Sequence, residues 1–382
     1  MIAGWRGSRL GIFFIVGLLV AQATIGAAIA GAQAVGTASA TDQPTVITAT
    51  AQNEPLVAHP SGDQTLHLAG PIQGPETLDP VLARDLSTAF IVRQIYRGLV
   101  GFDADLHPVP ELADRIEISA DGLTYTFHLR DGVTFQDGQP IRASDVVFSL
   151  TRAMNPATTD GEAELLGGPT FLSDIDGAAE ILAGKTDTLR GVTALDDQNV
   201  QIRLSAPRAT FLMKLAAVPA SIVDPRDVEA GGNWWKTPNG SGPFKVKAWV
   251  PDDHLTLTRF SKYFSGAPPL KEIDIALGQN AFQPFNLYQG GKIDVDSVNI
   301  NALDRVMAPE SALHDEVTVT PLFAVDYIAF RTDVAPMDDP MIRRAIQLAF
   351  PRDKVAHVTY EDYVSPAQGL VPKGMLDRDW PV

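Results

Sequence analysis

The stretch of sequence that decides the fold runs from Asp121 to Met154 and reads DGLTYTFHLRDGVTFQDGQPIRASDVVFSLTRAM. Apolar and polar residues alternate from Leu123 to Leu129, which predicts a half-buried strand. Asp-Gly pairs on both sides of the strand supply turn residues that tolerate a positive φ. Ser144 or Asp145 can then cap a helix that Asn155-Pro156 ends. The stretch therefore predicts a strand, turns and an amphipathic helix in that order.

Other elements follow from the same kinds of signal. Thr65 to Ala69 and the alternating Val200, Ile202 and Leu204 predict strands, and a meander of strands begins at Phe244. Ser87 can cap a helix that runs to Tyr96 or Arg97, where Gly98 ends it. At 382 residues the chain is long enough for more than one domain.

Three further segments lie in a recognisable order around Asp121–Met154. They read IYRGLVGFDADLHPVPELADRIEIS (95–119), NGSGPFKVKAWVPDDHLTLTRFSKYFSGAPPLKEIDIA (239–276) and DDPMIRRAIQLAFPRDKV (338–355). Together the four segments resemble the family of extracytoplasmic solute-binding proteins that feed peptides, nickel, opines or haem to ATP-driven importers, specifically its oligopeptide-binding branch. The likeness runs from about Thr65 to the last residue. Family members continue beyond the point where this sequence stops, so we expect a C-terminally truncated chain.

The resemblance implies a mixed α/β fold of the two-lobed, periplasmic-binding-protein-like kind, with an extra domain on the first lobe. We expect residues 65–101 and 195–325 to form the first lobe and residues 102–194 the inserted domain. Residues 326–382 would begin an incomplete second lobe, reached by a strand near Phe323 to Phe330. Asp339-Pro340 then starts a helix. Its predicted buried stripe consists of Met341, Ile342, Ala345, Ile346, Ala349 and Phe350.

The N-terminus has the pattern of an export signal. Arg6 and Arg9 precede the apolar run Leu10 to Val20, and Ala32-Gln33-Ala34 is a small-residue cleavage site. We therefore predict a signal peptide at 1–34 and a disordered lead-in at 35–64, with an uncleaved anchor as the alternative. The sequence contains no cysteine, which excludes disulfides and lipoprotein anchoring. We expect a freely diffusing periplasmic monomer.

Composition and missing motifs argue against several function classes. The net charge of −16 argues against nucleic-acid and anionic-membrane partners. The seven histidines form neither an HExxH motif nor an i, i+4 pair. Gly184-Lys185-Thr186 ends like a phosphate-binding loop, but Ala179 stands where that motif requires glycine. We predict a binding protein, not an enzyme, with no cofactor and no metal site.

The ligand site is predicted by the resemblance. A peptide can be bound through its backbone as an added strand, with its side chains in roomy pockets. The resemblance places the ligand-facing strand just after Leu78-Asp79-Pro80, so that Arg84, Asp85 and Leu86 would face the peptide. Arg84 favours an acidic group or a peptide carboxylate, and a solvated surface arginine is the alternative.

Further ligand contacts are expected on the segment that crosses between the lobes. Tyr327 matches a pocket tyrosine of the oligopeptide binders, and Phe323 and Asp326 are its neighbours. Core packing is the alternative for Phe323. The tryptophans at 234, 235 and 249 are expected to brace a loop, with stacking on ligand as the alternative.

The predicted function is that of a periplasmic substrate-binding subunit of an ABC importer. It would capture oligopeptides between two lobes and deliver them to permease subunits in the inner membrane. The same fold is compatible with a dipeptide, a nickel chelate, haem or a sugar as ligand, because fold does not determine ligand. A secreted hydrolase and a chaperone-like receptor are the alternatives from other classes.

Overall fold

The computed structural model describes residues 44–49, 64–319, 324–367 and 369–370. The described residues belong to two compact units, one ending at Ser297 and the other beginning at Val298. The predicted signal peptide at 1–34 and most of the predicted lead-in at 35–64 lie outside the described residues. Within the lead-in, Thr45–Thr48 form a strand paired with residues 115–118, so the prediction of disorder is wrong there.

The described part of the chain contains both strands and helices. The strands are β1 Thr45–Thr48, β2 Thr65–Ala69, β3 Val100–Phe102, β4 Pro108–Pro110, β5 Ala113–Ile118, β6 Thr124–Leu129, β7 Val192–Ala194, β8 Asn199–Arg203, β9 Phe244–Val250, β10 His254–Arg259 and β11 Glu272–Ala276. The α-helices are α1 Leu86–Ile95, α2 Ala143–Met154, α3 Gly168–Leu172, α4 Ala178–Leu182, α5 Phe211–Leu215, α6 Pro225–Ala230, α7 Pro284–Gln289, α8 Ile300–Met307, α9 Pro340–Ala349 and α10 Arg352–Val358.

Two main sheets organise the first unit. The antiparallel sheet β1-β5-β6-β8-β7 carries the inserted segment, and the sheet β2-β11-β10-β9 pairs β2 with β11 in parallel. Strands β3 and β4 form a small antiparallel pair. Strand β8 lies within the residues assigned above to the first lobe, but it pairs with β6 and β7 of the inserted segment.

The core of the inserted segment forms because β6 and α2 bury the faces that the sequence predicts. Tyr125, Phe127 and Leu129 of β6 are buried, and their polar neighbours are half-buried. Val146 and Leu150 of α2 are buried in the same hydrophobic cluster. The strand predicted from Leu123 to Leu129 and the helix ending before Asn155-Pro156 are both confirmed.

The helix starts differ from the prediction. Neither Ser144 nor Asp145 is the N-cap of α2, because the helix begins at Ala143 and Arg142 holds the cap position. Asp145 still contributes, since its Oδ2 accepts a hydrogen bond from the Arg142 N–H at 2.8 Å. Helix α1 begins at Leu86 and is capped by Asp85, not by Ser87.

Two predictions for the second unit are wrong within the described residues. Residues 324–330 form no strand, although a strand was predicted from Phe323 to Phe330. Helix α9 starts at Asp339-Pro340 as predicted, with Asp339 Oδ1 accepting from the Met341 N–H at 2.7 Å. Its apolar stripe is not buried: Met341, Ala345, Ala349 and Phe350 are exposed, and Ile342 and Ile346 are half-buried. The part of the chain described here contains no helix of the length and apolarity that a bilayer crossing needs.

Candidate functional site

The three predicted ligand contacts of the first unit lie together at the N-terminus of α1. Arg84, Asp85 and Leu86 are exposed, and three residues separate them from the buried Leu78-Asp79-Pro80 turn. They do not form the predicted strand, because Asp85 is an N-cap and Leu86 is the first helical residue. Asp85 itself has an extended backbone, with φ −107° and ψ 160°. We call Ala83–Leu86 the lead segment.

A buried ion pair anchors the turn that precedes the lead segment. The Asp79 side chain is 2% exposed, and it accepts two hydrogen bonds from the Arg152 guanidinium, at 2.8 and 2.5 Å. Asp79 Oδ1 also accepts from the Val81 N–H at 3.1 Å. A bidentate arginine fixes the orientation of a carboxylate as well as its position. The pair therefore ties the turn to the last turn of α2.

Contacts to the loop after α2 hold the lead segment from the side. The Gly167 N–H donates to the Val81 carbonyl at 2.8 Å, and Arg84 Nη2 donates to the Glu164 carbonyl at 3.0 Å. A Cβ at Gly167 would lie 2.7 Å from Pro219 Cγ, so only glycine fits this close approach. Anchoring on several sides limits the conformations that the lead segment can adopt.

The lead segment keeps backbone groups free. Arg84 and Asp85 are both exposed. The backbone N–H of neither residue has a hydrogen-bond acceptor among the described residues. The Asp85 carboxylate is engaged in the helix cap, where Oδ1 accepts from the Thr88 N–H at 2.8 Å. An exposed, extended backbone with free groups is what an added peptide strand pairs with.

The remaining predicted contacts belong to the second unit. Tyr327 is 70% exposed, and Asp326 is exposed with its Oδ2 at 3.5 Å from the Tyr360 hydroxyl. Phe323 lies outside the described residues. The roles of these residues and of the lead segment as ligand contacts stay predictions.

The three tryptophans contact the protein's own groups. The rings of Trp235 and Trp249 lie 5.5 Å apart at an angle of 59°, and the Arg152 guanidinium lies 5.3 Å from the Trp234 ring. These contacts join the loop before β9 to β9 and to α2. They agree with the bracing role predicted from the sequence.

Sequence reasoning missed a charge network at the C-terminal end of α1. Arg97 Nε lies 2.8 Å from Glu111 Oε1 and 2.8 Å from the Tyr263 hydroxyl. Burial lowers the pKa of Arg93 to about 10, and burial also raises the pKa of Tyr263. The i, i+4 spacing of Arg93 and Arg97 was the available signal, but its partners are distant in sequence. The network ties the residues after α1 to the connection between β4 and β5 and to the loop between β10 and β11.

The described residues offer noncovalent recognition groups rather than a metal centre. They include no cluster of three or more His, Asp or Glu that could hold a metal ion. The lead segment presents backbone N–H donors and the guanidinium of Arg84. Groups of this kind bind carbonyl and carboxylate oxygens.

The comparisons with known proteins agree on one protein family. A profile of the bacterial extracellular solute-binding proteins, family 5 Middle, matches residues 107–381. The probable deoxycholate-binding periplasmic protein YgiS of Escherichia coli is 31% identical over 303 residues, which cover 78% of this chain and 55% of that protein. The periplasmic oligopeptide-binding protein OppA of Escherichia coli is 28% identical over 302 residues, covering 78% of this chain and 54% of that protein.

Solved structures agree. The murein tripeptide binding protein MppA of Escherichia coli matches with a TM-score of 0.70 and 26% identity, covering 81% of this chain and 60% of that chain. The mixed α/β architecture of periplasmic solute-binding proteins is therefore confirmed for this chain. The chain spans about 55% of the length of the curated relatives it matches.

Proposed function

The chain belongs to family 5 of the bacterial extracellular solute-binding proteins, and on that premise we propose that it captures oligopeptides for an ATP-driven importer. The observation that carries the proposal is the lead segment. It is exposed and anchored by the Asp79–Arg152 pair, and the N–H groups of Arg84 and Asp85 are free among the described residues. A peptide strand laid along it gains main-chain hydrogen bonds that do not depend on the peptide's sequence.

Capture proceeds by closure of two lobes on the ligand. A ligand favours the closed state only to the extent that it binds that state more tightly than the open one. In this proposal the lead segment supplies ligand contacts from the first lobe, and Phe323, Asp326 and Tyr327 supply contacts from the segment that crosses to the second lobe. The protein acts as a monomer in the periplasm, reached through the export signal at 1–34, and passes intact peptide to permease subunits in the inner membrane. No cofactor takes part.

A second ligand class has specific support. The relative with 31% identity is described as a probable deoxycholate-binding protein, and deoxycholate is a carboxylate. The guanidinium of Arg84 lies on the lead segment, where it pairs with a backbone carbonyl rather than with an acid. An exposed guanidinium of this kind can bind a ligand carboxylate of either class.

Thermal shift measurements distinguish these ligands. They use the protein purified from its host. Tripeptide pools, glutathione and deoxycholate are tested in parallel, since a ligand at 100 times its Kd stabilises the folded state by about 2.7 kcal/mol. We expect a rise in Tm with tripeptides and intact peptide recovered afterwards. A rise with deoxycholate alone would replace the peptide proposal, and cleaved peptide would indicate a hydrolase.

A further inference from the structure

A polar surface cavity of about 330 Å³ lies at the C-terminal end of α1, opposite to the lead segment at its N-terminal end. Gln136, the loop before β9 and the first turn of α6 line it. Gln136 Nε2 lies 3.4 Å from the carbonyl of Ile95, the last residue of α1. A helix of ten residues is about 15 Å long, so the cavity is separate from the proposed peptide site.

Gln136 leaves an acceptor without a partner. Its side chain is buried, with the residue 5% exposed, and Nε2 donates to the carbonyls of Gly242 at 3.0 Å and Phe244 at 2.7 Å. Those carbonyls fix the orientation of the amide, because a flipped amide would set an acceptor against them. Oε1 then points away from them, and it has no hydrogen-bond partner among the described residues. A buried acceptor without a donor costs about 1–3 kcal/mol.

Three donor groups around the cavity already have acceptors in the protein. The Arg226 guanidinium binds Asp224 and, at 2.9 Å, Asp137. The Lys245 ammonium donates to the Gln136 backbone carbonyl at 2.5 Å. The Asn239 N–H donates to Asp227 Oδ2, also at 2.5 Å. Within the described part of the chain, Asp227 Oδ1 has no hydrogen-bond donor, and Asp227 lines the same cavity as Gln136.

The charges of the lining residues favour a cation. Three carboxylates, Asp137, Asp224 and Asp227, face only two cations, Arg226 and Lys245. The C-terminal end of α1 adds the negative end of a helix dipole. Burial raises the pKa of Asp227, with further contributions from Asp224 and Asp137. A bound positive group would therefore stabilise the ionised form of this carboxyl.

We propose that the cavity binds a small molecule through a primary ammonium group, which donates hydrogen bonds to Gln136 Oε1 and Asp227 Oδ1. An ammonium group supplies three donors and no acceptor, which matches the surplus of acceptors. The volume lies at the lower end of the range for small-molecule sites, about 300–1,000 Å³, so a short aliphatic amine fits better than a peptide.

Titration calorimetry with 1,4-diaminobutane tests the site, and 1,4-butanediol serves as the uncharged control of equal length. We expect the diamine to bind and the diol not to bind. Asp227→Asn should weaken binding about tenfold or more, since it removes a charge-assisted hydrogen bond. Arg226→Gln should tighten binding, because it removes a competing cation.

A folding defect cannot produce these opposite effects together, and circular dichroism of both variants checks their folds. Peptide binding by Asp227→Asn should match that of the unmodified protein, so this result and the proposed peptide function are separable. Equal affinity for diol and diamine would overturn the proposal. So would a crystal structure grown with diamine that shows only water at Gln136 Oε1.

Discussion

At the scale of single residues, the pair of Asp79 and Arg152 determines how the lead segment is presented. The Asp79 side chain is 2% exposed and that of Arg152 is 11% exposed, so each charge depends on the other for solvation. Breaking a buried pair costs more than the pair contributes, because one charge is left uncompensated.

Replacing Arg152 by Met should therefore lower the free energy of unfolding by about 3–5 kcal/mol. Urea denaturation measures the loss. Arg190→Met is the matched control, since Arg190 pairs with Asp176 at the surface and such pairs contribute about 0–1 kcal/mol. Equal losses in the two variants would contradict the anchoring role of the buried pair.

The cap of α1 distinguishes the structure from the sequence prediction. Asp85→Ala should cost about 1 kcal/mol of stability, because it leaves the Thr88 N–H without its acceptor. Ser87→Ala, at the cap predicted from the sequence, should leave the stability within a few tenths of a kcal/mol of that of the unmodified protein. Chemical denaturation of both variants decides the matter, and a larger loss for Ser87→Ala would favour the sequence prediction.

Two aspartates should respond to pH in opposite directions. Burial raises the pKa of Asp227 above 3.8, so its ionised form destabilises the fold as pH rises. Asp227→Asn should be more stable than the unmodified protein at pH 7, and the difference should vanish below about pH 3.8. The hydrogen bond from Arg190 lowers the pKa of Asp176, so Asp176→Asn should be less stable at pH 7.

The Asp176→Asn deficit should disappear as pH falls through the lowered pKa of Asp176. Urea unfolding across this pH range gives both curves. If both variants were more stable, or both less stable, than the unmodified protein at pH 7, the environments assigned to Asp227 and Asp176 would be wrong.

At the scale of elements, α1 is packed so closely that glycine is required beside it. A Cβ at Gly240 would lie 2.0 Å from the Ile95 carbonyl oxygen. Gly240→Ala should therefore destabilise the protein by about 1–3 kcal/mol or more through overpacking. Gly369→Ala is the control, because no atom of the described residues lies within 4 Å of a Cβ at that position. Similar urea unfolding midpoints for Gly240→Ala and Gly369→Ala would contradict the close packing of Gly240 against Ile95.

The local sequence predicted β6 well. Its alternating apolar residues and its flanking Asp-Gly turns both indicate a half-buried strand, and the structure buries the predicted face. The helix starts were harder, because Asp85 and Ser87 are both good capping residues and the pattern does not choose between them. The strand predicted at 323–330 rested on the family resemblance, and 324–330 form no strand. A short apolar run does not determine its own secondary structure.

At the scale of the whole molecule, the second unit exposes large apolar side chains on α9 and at its C-cap. Met341 is 74% exposed, Leu348 70% and Phe350 42%. The 382-residue chain should bind a hydrophobic dye and increase the dye's fluorescence. The double variant with Met341→Lys and Leu348→Lys should give less dye fluorescence at an unchanged helix content. Unchanged fluorescence would place the dye elsewhere.

The sequence was informative about architecture but less so about the site. Motifs spread over the chain identified the two-lobed class, since each one combines several local signals. The site depends on long-range contacts such as Arg152 to Asp79 and Arg84 to Glu164, which no local pattern encodes. The lobe boundaries and the six ligand contacts remain predictions.

The central claim is that the protein binds its ligand through hydrogen bonds to the main chain of the ligand. Calorimetry on the protein as its host produces it, with tripeptides of different side chains and with their backbone N-methylated analogues, tests this claim most directly. We expect affinities within about tenfold across side chains and a loss of at least about a hundredfold on N-methylation, equivalent to about 2.7 kcal/mol. Affinity that survives N-methylation but follows side-chain identity would contradict the account.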